Sequence, residues 1–150
     1  MANENYEDNV RKLAKLIKDI QVAMLTTVGG NDGALRSWPM MNQKTPFDGT
    51  LWFFTRETTP KANEIKREQQ VSLSYVEPRD QRYVSVSGVA GIVRDRAMME
   101  NLWDKTYAPW FPLGLDDPEL VLLKVEVRQA EYWDAGSNKV GQVLHFVKGL

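Results

Sequence analysis

The chain has 150 residues, 43% of them hydrophobic and 26% charged, with 19 Lys and Arg against 20 Asp and Glu and a formal net charge of −1. These proportions suit one soluble globular domain over residues 1–150 with its own core, and they exclude disorder, a collagen-like repeat and a coiled coil. A near-neutral balance offers a polyanion nothing at long range, which argues against nucleic-acid binding, and no apolar run approaches the ~20 residues that span a bilayer.

The polar, acidic start MANENYEDNVRK does not read as a signal peptide, so the expected compartment is the cytosol. Residues 6–20 predict an amphipathic helix. Val10, Leu13, Ile17 and Ile20 recur at helical spacing, with Arg11, Lys12, Lys15 and Lys18 around the solvated remainder. Val22 to Val28 reads as a strand, Gly29-Gly30-Asn31-Asp32-Gly33 as a turn, and Ala34 to Met41 as the returning strand of a hairpin. Pro39 cannot donate to a ladder, which places this strand at an edge, a bulge or a barrel opening. After the turn Phe47-Asp48-Gly49-Thr50, the run Leu51 to Thr55 is apolar on both faces and predicts a strand covered on both sides.

A short helix is expected from Pro60 to about Gln69, with Thr58 or Thr59 as N-cap and Pro60 in the first turn. Strands follow at Val71 to Val76 and Arg82 to Val93, the second with Gly88 and Gly91 as bends or points of close backbone approach. Arg94 to about Tyr107 predicts a second short helix, and Ala108 to Pro118 a loop in which Asp116-Asp117 form a turn and cap. From Leu120 to Val127 the pattern alternates, with Val121, Leu123, Val125 and Val127 on one face and Lys124, Glu126 and Arg128 on the other. Glu131 to Asp134 is a candidate extension, and the last stretch fits either strand or helix. Strands in hairpin order with few helices predict a mainly β, antiparallel sheet closing into a barrel rather than a doubly wound fold.

The chain has no cysteine and one histidine. A thiol nucleophile, a dithiol centre, an iron–sulfur cluster, a thiolate zinc site and a multi-histidine metal site are thereby excluded within one chain. His145 reads as structural or exposed. No GxGxxG or P-loop sequence is present. Redox or group-transfer chemistry would need a bound organic cofactor.

The segment Thr55-Arg56-Glu57-Thr58-Thr59-Pro60-Lys61 is the most informative. An aromatic strand ends there and a helix begins, so unpaired N–H groups, hydroxyls and the Lys61 cation meet at one junction, a chemistry suited to phosphate. A solvated surface lysine is the competing reading. Arg36, Trp38 and Met40 share one strand face and Leu35, Ser37 and Pro39 the other. The first face either borders a flat, polar-edged ligand or is a core face with Arg36 snorkelling at its end. Trp110 and Phe111, held between prolines, form either an exposed interaction surface or a plug over the barrel end. Tyr132-Trp133 fits core packing.

The ordered segments RSWPM, DGTLWFFT, TTPKANEI, VSLSYVEP, QRYVSVSG, LW, WFPLGLDDPEL and EYWD resemble the pyridoxamine 5′-phosphate oxidase-like FMN-binding proteins, and within them the general stress protein 26 family. The match runs from about residue 8 to about residue 145. The resemblance implies a split β-barrel, antiparallel and Greek-key-like with peripheral helices, forming a homodimer with FMN at the subunit interface. It implies that Thr55, Thr59 and Lys61 hold the phosphate. The flavin ring would lie along Arg36, Ser37, Trp38 and Met40 on one strand and Phe54 on another, with Trp110 and Phe111 near it from the same subunit or the partner.

Relatives often carry an arginine immediately before the Pro-Met pair, where this chain has Trp38. Arg36, two residues earlier on the same face, is the candidate to supply that charge. The expected function is an FMN-dependent oxidoreductase of a small molecule, with a non-catalytic FMN carrier or stress-response binding protein as the alternative. A haem- or deazaflavin-binding relative is a third reading. No side chain stands out as an obligatory acid or base. The substrate-phosphate residues of true pyridoxamine 5′-phosphate oxidases have no counterpart identified in this chain, so vitamin B6 synthesis is not expected.

Overall fold

The computed structural model describes residues 2–29 and 32–146, with side chains from residue 6 onward; the Gly30-Asn31 part of the expected turn lies outside the described residues. Helix α1 (Ala2–Ile17) lays Leu13, Leu16 and Ile17 against the sheet, all buried. It stops short of Ile20 because the Asn42 side-chain amide takes over its last turn, donating to the Ile17 carbonyl at 2.9 Å and the Ile20 carbonyl at 2.8 Å. Arg82 adds a bond to the Leu16 carbonyl at 3.0 Å.

Among the described residues the sheet has seven strands: β1 (Val22–Val28), β2 (Leu35–Met41), β3 (Thr50–Arg56), β4 (Gln70–Glu77), β5 (Arg82–Val93), β6 (Leu120–Asp134) and β7 (Lys139–His145). Every pairing is antiparallel, in the order β2-β1-β4-β5-β6-β3 with β7 also on β6. β6 is long enough to pair β3 with its first half and β7 with its second, while β5 lies along its other side. The sheet curls until β2 and β3 touch without pairing, which makes a split β-barrel. Pro39 sits, as its missing donor requires, on the edge strand β2.

The barrel is filled by side chains from alternate strand positions, including Ala23, Leu25, Phe53, Leu73, Tyr75, Val86, Leu123 and Val125. Thr50–Arg56 is covered on both sides as expected, because a second cluster of Phe54, Met99, Leu102, Tyr107, Leu120 and Leu122 packs outside β3 and β6. That outer layer is built by helix α3 (Arg96–Leu102) and the turns after it. The helix is shorter than the expected Arg94 to Tyr107. Asp95 caps its start by accepting from the Met98 N–H at 3.1 Å, and Trp103 then leaves the helical conformation. Asp104 accepts from the Thr106 N–H at 3.0 Å and opens a separate 3-10 turn, Lys105–Tyr107.

Gly88 marks a β-bulge where the β5–β6 register shifts. A Cβ there would stand 2.4 Å from the Glu126 carbonyl oxygen. At Gly91 a Cβ would meet nothing within 4 Å, so the close-approach reading does not hold there. Tyr132 packs in the core, and His145 is exposed. No helix among the described residues is long and apolar enough to cross a membrane.

Candidate functional site

Helix α2 (Pro60–Arg67) begins where β3 ends, and the junction is tightly built. Thr59 occupies the N-cap position, but its hydroxyl donates back to the Arg56 carbonyl at 2.8 Å instead of capping the helix. The first-turn N–H groups therefore keep their capacity to bind an anion. Beside this junction lies an open cleft of about 230 Å³, lined by Trp38, Pro39, Met40 and Met41 of β2, Phe54, Thr55 and Arg56 of β3, then Thr59, Lys61, Trp110 and Phe111.

Most of the expected site residues meet here. Met40 and Phe54 are almost fully buried and Trp38 is half-buried, so they form fixed apolar walls. Phe54 is locked by edge-on and tilted contacts with Trp103 at 5.3 Å and Tyr107 at 5.7 Å between centroids. Phe111 packs on this aromatic cluster, whereas Trp110 is 52% exposed; the loop is thus plug and surface at once.

The polar end of the cleft has unmatched donors. Thr55 is 2% exposed and its Oγ1 has no hydrogen-bond partner among the described residues. Lys61 forms no ion pair among the described residues; its Nζ lies over the Trp38 ring, 5.4 Å from the centroid. Burial holds the Lys61 ammonium below the ordinary lysine pKa, since the charged form is desolvated. A buried hydroxyl, a half-shielded ammonium and uncapped helix N–H groups fit an anionic headgroup, and the aromatic walls fit a flat apolar body.

Arg36 and Ser37 do not line the cleft. Arg36 Nε pairs with Glu64 at 2.9 Å, and the Ser37 hydroxyl bonds Thr26 Oγ1 at 2.9 Å on the outward side of the sheet. Arg56 does line the cleft, but its guanidinium is engaged by Asp117 at 2.8 Å and by Glu119. The Asp117 carboxyl is held below the usual carboxylate range, first by the Arg56 hydrogen bond and then by the Glu119 N–H. No group of three or more metal-binding side chains occurs among the described residues.

Sequence reasoning missed Met41, the Arg56–Asp117 pair, Thr27 and Glu64. The spacing of Glu64 three residues after Lys61, on one face of a helix, was the available signal for the last.

Comparison with known proteins gives this geometry a context. A sequence model described as "Pyridoxamine 5′-phosphate oxidase like" matches residues 8–150. General stress protein 26 of Bacillus subtilis is 31% identical over 137 residues, covering 88% of this chain and 93% of that protein. The solved structure of general stress protein 26 from Bacillus anthracis superposes with a TM-score of 0.75 at 23% identity, covering 91% of this chain and 97% of that one, and supports the fold. A Xanthomonas citri structure described as a general stress FMN/FAD binding protein has a TM-score of 0.70 at 27% identity, covering 95% of this chain and 97% of that one. The chain belongs to the pyridoxamine 5′-phosphate oxidase-like family, in its general stress protein 26 branch.

Proposed function

We propose that the protein binds FMN in the β2–β3 cleft and acts as a flavin-dependent oxidoreductase of a small molecule. The observation that carries this reading is the unpartnered, buried Thr55 hydroxyl in the same aromatic-walled cleft as Lys61. Thr55, Thr59 and Lys61 would hold the phosphate, and Trp38, Met40, Phe54, Trp110 and Phe111 would flank the ring. When bound, FMN would supply hydride and electron transfer at its ring; the chain's own residues orient it and exclude water. The FMN/FAD binding ascribed to the Xanthomonas citri relative supports the same cofactor class.

The working unit in this proposal is a homodimer with FMN at the subunit interface. The cleft is open on one side and, at about 230 Å³, lies below the ~300–1,000 Å³ usual for ligand pockets. The outward sheet face is short-chained: Ser37, Thr26, Ser72 and Ser87 stand side by side across β2, β1, β4 and β5. Exposed Val22, Met24 and Val76 flank that row, a surface suited to a second copy.

One observation favours the alternative, a non-catalytic FMN carrier: among the described residues no carboxylate or imidazole lines the cleft. The deciding experiment is flavin titration of the purified protein, followed by anaerobic addition of NAD(P)H, with mass measured by light scattering. A yellow, dimeric protein whose flavin bleaches supports the oxidoreductase. Bound flavin that no donor reduces supports the carrier. Failure to bind any flavin removes both.

A further inference from the structure

Glu64 is a buried acid that does not reach the cleft, yet a chain of contacts leads from it to the cleft's lysine. Its side chain is 10% exposed and sits three residues after Lys61 on the same side of α2. The carboxylate accepts the Thr27 hydroxyl at 2.7 Å and pairs with Arg36 Nε at 2.9 Å. Thr27 Oγ1 in turn accepts the Trp38 indole N–H at 3.1 Å. The Trp38 ring lies under Lys61 Nζ at 5.4 Å, so the circuit starts and ends on one helix.

The direction of each bond is fixed by chemistry. A hydroxyl has one proton, and a carboxylate can only accept, so Thr27 donates to Glu64 and turns a lone pair toward the indole. The indole N–H can only donate, which orients the ring and presents its face to the ammonium. Thr27 is fully buried, so water does not compete for these bonds. Arg36 neutralises Glu64, and the acid therefore adds no uncompensated charge against an anion at Lys61.

We propose that Glu64 is a positioning residue of the anion seat, acting through Thr27 and Trp38 to set where the Lys61 ammonium waits. The proposal rests on the reading of the cleft as an FMN site. It gives Trp38 a role of its own: an aromatic seat for the cleft's lysine, which has no ion pair among the described residues, in place of a second guanidinium. It also makes Arg36 the clamp on Glu64 and leaves the phosphate to the helix end, the hydroxyls and Lys61. Holding the ammonium in place before the ligand arrives removes an ordering cost from binding.

The test uses Thr27→Val, Trp38→Phe, their double variant and Glu64→Gln, each read in two ways. FMN affinity is measured by flavin fluorescence. The Lys61 environment is followed without flavin, by NMR of isotope-labelled methyl groups on lysine amines, with Lys61→Arg assigning the signal. Thr27→Val keeps the side-chain shape and should weaken FMN by about fivefold, the effect of one lost hydrogen bond. Trp38→Phe should do the same, and the double variant should lose little more than either alone. The Lys61 resonance and its titration midpoint should move in Thr27→Val and Glu64→Gln.

Unchanged FMN affinity together with an unchanged Lys61 signal in Thr27→Val overturns the proposal, even if Glu64→Gln fails to fold. If the parent protein binds no flavin, the cleft reading fails, while the Lys61 signal still decides whether Glu64 positions it.

Discussion

The Lys61 ammonium lies 5.4 Å from the centre of the Trp38 ring and has no carboxylate partner among the described residues. Cations elsewhere near the cleft are matched, Arg56 by Asp117 and Glu119 and Arg36 by Glu64. Lys61→Ala should therefore weaken FMN by about ten- to a hundredfold, the loss of one charge-assisted contact, without unfolding the protein. Flavin titration alongside a thermal melt checks both halves, and parent-like affinity would remove Lys61 from the site.

The same lysine makes binding sensitive to alkali. Burial lowers its pKa from 10.5, and a bound phosphate draws it back up. FMN affinity should fall as pH rises through the lowered value, and this slope should vanish in Lys61→Met. In the protein alone the sign reverses. Between the lowered pKa and 10.5 the unfolded chain keeps a proton that the folded chain has lost, so this group makes stability rise with pH across that window. Titrations and urea melts at a series of pH values separate the two effects.

Gly88→Ala and Gly91→Ala should part company. The first places a Cβ 2.4 Å from the Glu126 carbonyl and 3.0 Å from Val125 Cγ1, in the bulge that bends the β5–β6 ladder. A cost of about 1–3 kcal/mol is expected from the forced backbone shift. The second meets open space and should be neutral or stabilising by up to about 1 kcal/mol. Chemical denaturation of the two variants is the measurement.

Tyr75 is fully buried with a hydroxyl that has no partner among the described residues, and burial pushes its pKa far above the ordinary tyrosine value. Tyr75→Phe removes a polar group that gained nothing on folding. Stability should be unchanged or higher by about 1 kcal/mol in a urea melt. A clear loss would mean the hydroxyl has a partner, such as a trapped water.

Acid should act through Asp117. Its pKa is depressed by Arg56, so its contribution is complete above the ordinary 3.8 and is lost as pH falls through the folded-state value. Asp117→Asn should be less stable than the parent at neutral pH, with the gap closing at low pH, as followed by acid unfolding curves.

Much of this was legible in the residues because strands announce themselves through period two. Arg82–Val93 has the bounds its pattern suggested, and Leu120–Asp134 absorbs the proposed extension at Glu131. The meeting of Thr55, Thr59 and Lys61 at one junction was legible too, since a strand end, hydroxyls and a helix start are local features. What pairs with what across the sheet was not. Arg36 reaches Glu64 only because hairpin register sets Thr27 opposite Arg36 and α2 docks there; neither fact is written in spacing along the chain. The Asp104 side chain, which opens a separate 3-10 turn after α3, competes with the backbone locally, and its effect outweighs the apolar periodicity that suggested a longer helix.

The missing ladder between β2 and β3 has a mechanical consequence. Those strands carry two walls of the cleft and lie close without pairing, and Gln43, just past β2, accepts the Trp52 N–H on its Oε1 at 2.9 Å. A planar guest seated as proposed would press the two walls apart like the jaws of a spring clip and leave the ladder pairings of the sheet intact. If the cleft takes the flavin as proposed, its entry and release would need no strand pairing to break.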